Sequence, residues 1–518
     1  MKKTNLIKIV FFFLIAFIFE ACNKKNLDIT SPQITEGSFF TSEAEYRMAI
    51  VGVYATLTDY FSSASIGGAN NTSQTKIWTL PGDDIAMADN SPFDNFQNMN
   101  PGNGDVSNFF RSSYVMLNRA NKVLFNVRNA KPGVFNTPNL QKHNEGEMLF
   151  LRAYGHYMLW NVFGMYAPLD TLTNKSLDQL NPSSSTGTQL LDQAIRDLTL
   201  AGPLLPASWD NANTGRVTAN AAYGLLGKCL VFRATVSNTA ADYTAAITAI
   251  DKISGRILVP NFADNFNFEK ENNPESLFEF QAGAPLRGPG QTNVWLANDA
   301  ADIGVSSAYW GSFGFWDLPN AGGNNSWMGG GWWFPTDKLK NIFAATDPRK
   351  ELTFGNYAAW GTPSIKKYIS ANRNDAHNAS VNNPRILRYA DVILLKAEAV
   401  LNSGGSTSTA IDLINQVRER ARKMVTGGTV PLALNAAETN RTTIMQWIMD
   451  ERLMELAAEG QRWFDIRRWS IGGKLTLNNA FFSAINSAQM RFETKNLNFP
   501  IPFSETDRNV NITPTPGF

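Results

Sequence analysis

The chain contains paired helical segments of similar length, and this pattern most strongly limits the fold it can form. Apolar side chains recur at three- and four-residue steps, as in Tyr46, Ile50 and Val53, which is the spacing of an amphipathic helix. Ser42 and Glu45 in front of that stripe have the spacing of a capping box. Helices are predicted near residues 41–57, 107–127, 141–162, 188–200, 218–236, 241–254, 385–402, 408–424 and 441–459. Short connections between such helices favour a tetratricopeptide-like stack of helix pairs, although no strict repeat is visible.

A long middle segment, residues 256–384, lacks this periodicity and is dominated by glycine, asparagine, proline and aromatic residues. This composition predicts loops with short strands and one helix near residues 336–345. The closing residues 471–518 show no clear helix after the segment WFDIRRW. The predicted fold is therefore mostly α. It is a tetratricopeptide-like helix-pair repeat scaffold, residues 41–255 and 385–470, with a large loop-rich insertion that carries short strands.

The amino terminus has the pattern of an export signal. A lysine-containing start is followed by eleven apolar residues, Ile9 to Phe19. A membrane-spanning helix needs about 20 apolar residues, so this run fits the apolar core of a signal peptide instead. Because Cys22 follows the small residue Ala21, we expect a lipoprotein signal over residues 1–21, lipid modification of Cys22 and a tether over residues 22–40. The alternative is an ordinary signal peptide with a coincidental cysteine.

Charge and cysteine content exclude several classes of function. The 46 basic residues are balanced by 45 acidic ones, so neither a nucleic-acid partner nor a polybasic membrane patch is expected. Cys229 is the only cysteine besides Cys22, and its apolar surroundings predict a buried small hydrophobe. His143, His156 and His377 lack the spacing of metal ligands. We therefore expect no metal site and no cofactor.

The sequence offers little to support an enzyme. Neither a G-x-S-x-G nor an H-E-x-x-H motif occurs, and a glycoside hydrolase needs two carboxylates about 5–9.5 Å apart across the sugar. Acidic and basic residues alternate along the segment near 448–469, which predicts ion-paired packing rather than acid–base chemistry: Glu451, Arg452, Glu455, Glu459, Arg462 and Asp465. Arg388 and Glu398 are expected to form a buried or half-buried pair. The chain is predicted not to be an enzyme.

Five segments of the chain carry a family resemblance: NPRILRYADVILLKAEAVLN (383–402), AIDLINQVRERAR (410–422), IMDERLMELAAEGQRWFDIRRW (448–469), LRAYGHYMLWNVFGMYAPL (151–169) and the closing NLNFPIPFSETDRNVNITPTPGF (496–518). Together they resemble the SusD/RagB family of outer-membrane nutrient-binding lipoproteins of Bacteroidota. The resemblance implies a single SusD-like domain over residues 41–518.

This resemblance also implies a role. The lipidated Cys22 would hold the protein in the outer membrane, facing the exterior, and the helical repeats would contact a TonB-dependent transporter barrel (SusC-like). A face built from loops would bind an oligo- or polysaccharide and hand it to that barrel without breaking a bond. Two alternatives stay open: the same role with an oligopeptide cargo, and an interaction scaffold without a ligand.

The insertion carries the first candidate for that face. Six of the 13 tryptophans of the chain lie between residues 295 and 333, separated by glycine and asparagine, as in NAGGNNSWMGGGWWF. Aromatic rings stack on the apolar faces of sugars, and loops on a rigid scaffold suit binding. The predicted ligand-binding residues are Trp310, Trp316, Trp327, Trp332 and Trp333. The alternative is that these rings pack the loops onto the scaffold.

The second candidate is the segment KIWTLPGDDIAMADNSPFDNF, residues 76–96, which corresponds to a loop of the ligand face in the family. Trp78 is expected to stack on a sugar. Asp83 and Asp84 are expected to accept hydroxyl hydrogen bonds, with a contribution from Asn95. The alternative is a turn at Pro81–Gly82 in which Asp83 caps the following segment.

Overall fold

The computed structural model describes residues 39–61, 75–87, 91–173, 179–282, 333–356, 363–368, 382–484 and 490–518. The helices are α1 Glu43–Tyr54, α2 Thr58–Phe61, α3 Lys76–Thr79, α4 Pro92–Asn95, α5 Gly104–Arg128, α6 Leu140–Phe163, α7 Gln189–Leu204, α8 Ala219–Ser237, α9 Ala240–Ile250, α10 Asp337–Ile342, α11 Pro348–Thr353, α12 Tyr389–Asn402, α13 Thr407–Lys423, α14 Arg441–Leu456, α15 Arg462–Ile471, α16 Asn479–Ser483 and α17 Phe503–Thr506. The strands are β1 Ile85–Met87, β2 Ser276–Glu279, β3 Trp333–Pro335, β4 Phe354–Asn356, β5 Pro363–Ile365 and β6 Arg385–Arg388.

Consecutive long helices pack against each other and form a continuous stack, as the sequence predicts. Helix α6 lies between α5 and α7, α8 joins α7 to α9, and α9 contacts α12, which packs on α13 and α14. Of the 24 residues of α6, 19 are buried, so this helix forms the centre of the amino-terminal half. The predicted capping box is present at α1: the Glu45 N–H donates to the Ser42 hydroxyl, and the Ser42 N–H donates to the Glu45 carboxylate. The helical repeat scaffold is confirmed.

The strands of the described residues form three two-stranded antiparallel pairs: β1–β3, β2–β6 and β4–β5. Short strands in the middle of the chain are therefore confirmed. The start of the helix predicted at residue 385 is wrong, because Arg385–Arg388 is strand β6 and the helix begins at Tyr389. Pairing of β6 with β2 supplies backbone hydrogen bonds that local helical periodicity cannot reveal.

The carboxyl-terminal part also differs from the simple pattern. The helix predicted to end at residue 459 ends at Leu456, because Ala458 and Gly460 have φ values of 61° and 73°, which no right-handed helix accommodates. After this turn the chain continues as α15. The tail contains α16 and α17, whose five and four residues are too few to leave a periodic signal.

Two further predictions concern single features of the scaffold. Cys229 on α8 is fully buried, as predicted, and burial raises the pKa of its thiol to about 12. None of the described helices combines the length and the apolarity that a bilayer span requires.

Candidate functional site

The structure brings the two predicted ligand-binding segments together at one strand pair. Strand β1 lies in the segment 76–96, and β3 begins at Trp333, the last of the six tryptophans between residues 295 and 333. Met87 is paired with Trp333 and Ile85 with Pro335. We call this strand pair the β1–β3 junction. It fixes one end of the tryptophan-rich segment beside the amino-terminal segment, although about 250 residues separate them along the chain.

Asp83, predicted to bind sugar hydroxyls, is instead buried and bonded to two cations of the protein. Its carboxylate accepts hydrogen bonds from Arg462, with 2.9 Å between Arg462 Nη2 and Asp83 Oδ2, and from Lys338. Burial raises the pKa of Asp83, but the charges of Arg462 and Lys338 outweigh it and hold that pKa well below its ordinary value. Asp83 therefore fastens the amino-terminal segment to α15 and α10.

Asp84 fastens the same segment to the turn before α15. Its Oδ2 accepts from the backbone N–H of Ala458 at 2.9 Å, and its carbonyl oxygen accepts from the N–H of Thr336 at 3.0 Å. Burial raises the pKa of Asp84 to about 6. The expectation that both aspartates present open carboxylates is corrected, because each is at most 1% exposed and accepts hydrogen bonds from protein donors.

Trp78 lies in the core rather than on a surface. It is 3% exposed and packs edge to face against Tyr60 and Phe61, with ring centroids about 6 Å apart. The cavity beside it, which Lys228 and Gln461 also line, has a volume of about 30 Å³. Such a cavity holds a water molecule but not a sugar ring, so the expected stacking of Trp78 on a ligand does not fit this placement.

Asn95 and Trp333 are buried as well, at 2% and 1% exposure. Asn95 Oδ1 accepts from the N–H of Gln97 at 2.9 Å, and the Asn95 carbonyl oxygen accepts from the N–H of Arg491 at 2.9 Å. Trp333 therefore fits the packing alternative, and Asn95 is held by contacts within the protein rather than presented on a surface. The predicted lipidation site and four predicted ligand-binding residues lie outside the described residues: Cys22, Trp310, Trp316, Trp327 and Trp332.

Asp94 is a third buried acid of this region, and the sequence reading did not single it out. Its Oδ2 accepts from the N–H of Met87 at 3.1 Å, which ties α4 to β1. Burial raises the pKa of Asp94 to about 7, and the hydrogen bond from Met87 only partly opposes this rise. The base of the junction therefore contains a carboxyl group that titrates near neutral pH.

A larger group of buried charges joins the strand pairs to the helices. We call it the central charge cluster; its members are Glu275, Asp347, Arg349, Lys367, Arg388, Arg420, Glu451, Glu455 and Glu459. Arg388 Nε lies 2.7 Å from Glu459 Oε2, and Arg349 Nη1 lies 2.6 Å from Glu451 Oε1. Burial raises the pKa of Glu455, but the surrounding arginines lower it to about 2. The ion-paired packing predicted for the segment 448–469 is confirmed.

The expected pair of Arg388 with Glu398 is wrong. Arg388 belongs to the central charge cluster, whereas Glu398 accepts two bonds from Arg468, at 2.6 and 2.7 Å, and one from Trp469 Nε1 at 3.0 Å. Arg388 and Glu398 are close in sequence, but Arg388 ends strand β6 and its side chain contacts Glu455 of α14 instead. The sequence analysis did not predict that Arg420 is buried. Its position three residues after Val417, on the apolar stripe of its helix, was the available signal.

Comparison with known proteins is consistent with this architecture. A model of the "SusD family" matches residues 324–518, and a model described as "Starch-binding associating with outer membrane" matches residues 39–230. SusD-like protein P2 from Formosa agariphila is 25% identical over 517 residues, which cover 93% of this chain and 94% of the relative. The chain belongs to the SusD/RagB family. Both models lie on the helical repeats, and the first also covers most of the central charge cluster.

Solved SusD-like structures share the fold over nearly the whole chain. A SusD superfamily protein from Bacteroides vulgatus superposes with a TM-score of 0.69 at 24% identity, covering 93% of this chain and all of the other. Surface glycan-binding protein A from Bacteroides thetaiotaomicron, solved in complex with laminarihexaose, gives a TM-score of 0.70 at 19% identity and covers 92% of this chain and all of its own. At these identities the likeness concerns the fold.

Proposed function

We propose that this SusD-family protein binds an oligo- or polysaccharide without cleaving it and hands it to a TonB-dependent transporter barrel in the outer membrane. Family membership supports the role, and a protein of the same fold is known in complex with laminarihexaose. The observation that carries the proposal for this chain is the β1–β3 junction, since it joins the two segments from which a ligand face was predicted.

Within this proposal the predicted site residues divide into two groups. Trp310, Trp316, Trp327 and Trp332 are proposed to contact the glycan through their rings, because stacking on sugar C–H faces needs aromatic surface. The buried group is proposed to position those loops by anchoring their base to the helices: Trp78, Asp83, Asp84, Asn95 and Trp333. Anchored loop ends reduce the ordering cost of binding.

The absence of catalysis is part of the proposal. General acid–base chemistry needs a carboxyl group within reach of the substrate. Asp83 and Asp84, the paired aspartates of the predicted face, are at most 1% exposed and accept hydrogen bonds from Arg462 and Ala458. Such buried and bonded carboxylates support a binding role rather than a hydrolytic one.

Localisation follows from the signal pattern and the family. The matching family model is described as associating with the outer membrane. We propose that residues 1–21 are removed, that Cys22 carries the lipid anchor, and that the domain 41–518 faces the cell exterior. Because one acyl chain gives only marginal binding, two or three chains on Cys22 would supply stable anchoring.

Affinity electrophoresis of the chain from residue 23 onward in gels containing polysaccharides tests the proposal. Retardation by at least one glycan is expected, with most of it lost in Trp310→Ala/Trp316→Ala. Phe125→Ala, which removes a 46% exposed ring from α5, is the matched control and is expected to run like the unchanged protein. Retardation by no glycan, or equal retardation of the double variant, would contradict the proposed glycan face.

A further inference from the structure

An open groove of about 350 Å³ lies between α10, α14 and the connection from α13 to α14. None of its lining residues is among the residues predicted to bind the ligand, although Ile342, Ala344 and Asp347 belong to the insertion 256–384. Eight of its eleven lining residues are apolar, among them Ile342, Leu432 and Trp447, and the other three are charged. Its volume falls within the range of about 300–1,000 Å³ that is common for small-ligand sites.

One wall of the groove is held in place by a single face of α13. Three side chains of that face donate to backbone carbonyls of the connection: Arg422 Nη1 to Pro431 O at 2.6 Å, Arg418 Nε to Leu432 O at 2.8 Å, and Asn415 Nδ2 to Leu434 O at 3.0 Å. The Leu434 N–H also donates to Asn415 Oδ1 at 2.8 Å. This wall presents Leu432 with 67% of its surface exposed.

Helix α14 contributes an aromatic ring and a carboxylate to the same groove. Trp447 is half-buried and lines the groove, and Asp450 lies one turn further along the same face. Gln446 Nε2 donates to Asp450 Oδ1 at 2.8 Å. A carboxylate accepts up to about four hydrogen bonds, so Asp450 has capacity for a ligand hydroxyl beside the ring.

The combination favours a sugar over a peptide. A pyranose ring has an apolar C–H face for Trp447 and hydroxyls for Asp450. Peptides commonly bind through main-chain hydrogen bonds, but the carbonyls at residues 431, 432 and 434 already accept from α13. A purely apolar ligand would cover the Asp450 carboxylate and offer it no hydrogen bond beyond the one from Gln446.

We propose that this groove is a second saccharide site, in which Trp447 stacks on a pyranose ring, Leu432 covers its other side and Asp450 accepts a hydroxyl hydrogen bond. The site is separate from the proposed ligand face and involves no covalent step. A chain with two glycan-binding places would hold a polysaccharide by two of its segments, which raises the overall affinity through effective concentration.

Fluorine NMR of the chain from residue 23 onward, labelled with 5-fluorotryptophan, tests the site directly. Trp447→Phe assigns the Trp447 resonance, and laminarihexaose, maltohexaose and cellohexaose are titrated to millimolar concentration. At least one hexasaccharide is expected to shift the Trp447 resonance in a saturable way. The Trp209 resonance is expected to stay fixed, because Arg216 covers that ring at 3.9 Å.

Two variants test the roles of the side chains. Asp450→Asn and Leu432→Ser are each expected to raise the midpoint of the titration by about fivefold or more, the loss expected for one hydrogen bond or one apolar contact. Leu432→Ser changes an exposed position, so it reports on binding even if Asp450→Asn lowers stability. An unchanged midpoint in both variants would overturn the assignment of these residues.

Three results would overturn the second site itself. They are no saturable shift with any of the three hexasaccharides, a shift with tri-leucine peptide but with no sugar, and loss of the shift in Trp310→Ala/Trp316→Ala. The last result would mean that the signal comes from the ligand face. Because electrophoretic retardation depends on Trp310 and Trp316, failure of the second site leaves the proposed function standing.

Discussion

The amino-terminal helices and the region around the central charge cluster are both buried, but different forces hold them together. In the centre of α6, Leu149, Leu151 and Leu159 are fully buried among apolar neighbours. In the second region, fully buried side chains such as Arg388 and Glu455 are charged and joined by hydrogen bonds. Apolar packing dominates the first region, although α6 also forms two buried ion pairs, Arg152–Asp197 and Glu147–Arg216. The second region is fixed by a continuous network of directional polar contacts.

This difference assigns different tasks to the two regions. Apolar packing tolerates changes of side chain when volume is kept, so the helical stack can vary in sequence and keep its form. A buried ion pair contributes little net stability but penalises any arrangement that separates its partners. The central charge cluster therefore holds β6, β2 and α14 in one relative position, since Arg388 contacts both Glu275 and Glu455.

Removing one cation from the central charge cluster should produce the largest effect. Arg388→Met leaves Glu275, Glu455 and Glu459 buried without their shared partner, and we expect a loss of about 3–5 kcal/mol in the free energy of unfolding. Urea unfolding followed by tryptophan fluorescence measures it. Gly202→Ala, which crowds the contact between α7 and α8, serves as the packing variant for comparison. A smaller loss in Arg388→Met than in Gly202→Ala would mean that the cluster is not the more sensitive region.

The free energy of unfolding is expected to depend on pH through Asp94. The folded state keeps Asp94 protonated up to its pKa of about 7, whereas the unfolded state ionises near pH 4. Between these values the folded state binds the extra proton, so stability falls as pH rises. Asp94→Asn lacks this dependence, and we expect it to gain about 2–4 kcal/mol relative to the unchanged protein between pH 4 and pH 8.

Unfolding of both proteins at several pH values measures that difference. Titrations common to the two proteins cancel, so a difference that stays constant from pH 4 to pH 8 would contradict the raised pKa. Asp105→Asn is a suitable control, since the Asp105 side chain is 36% exposed in its pair with Lys76.

A single methyl group tests the packed region. A Cβ on Gly202 of α7 would lie 2.3 Å from the Tyr223 ring of α8. Gly202→Ala should therefore force the two helices apart and cost about 1–3 kcal/mol, despite the higher helix propensity of alanine. Gly104→Ala on α5, where a Cβ meets nothing within 4 Å, is the matched control. Equal unfolding midpoints for the two variants would show that the α7–α8 contact yields without cost.

The smallest effect is expected at an exposed ion pair. Lys423 and Glu419 lie 2.6 Å apart on α13, but their side chains are 73% and 51% exposed. Lys423→Met should change the free energy of unfolding by no more than about 0.5 kcal/mol, since water screens such pairs. A loss comparable with that of Arg388→Met would remove the distinction between buried and surface charge on which the comparison depends.

Local patterns predicted the helices well because periodicity and capping are encoded within a few residues. The Ser42–Glu45 box and the stripe of α1 are examples. Ion-paired packing along α14 was also predictable, since arginines alternate with the acids. By contrast, β6 was read as helix because its hydrogen bonds come from β2, more than 100 residues earlier in the chain.

The candidate site was only partly predictable for the same reason. The sequence marked Asp83 and Trp78 as residues of interest, but it could not reveal that Arg462 approaches Asp83 or that Tyr60 and Phe61 enclose Trp78. Burial depends on partners that are distant in sequence. Exposure and pairing of a polar residue in a loop are therefore properties of the fold, and not of the motif in which the residue stands.

The β1–β3 junction and the Asp83–Arg462 contact also determine the order in which folding can finish. Asp83 meets a partner 379 residues later in the chain, and the Asn95 carbonyl meets the N–H of Arg491. The amino-terminal helices can stack with one another early in folding, but β1 cannot pair until β3, about 250 residues later in the chain, is in place. Contacts between segments so distant in sequence form slowly, so the amino-terminal segment is completed only when residues near the carboxyl terminus have joined it.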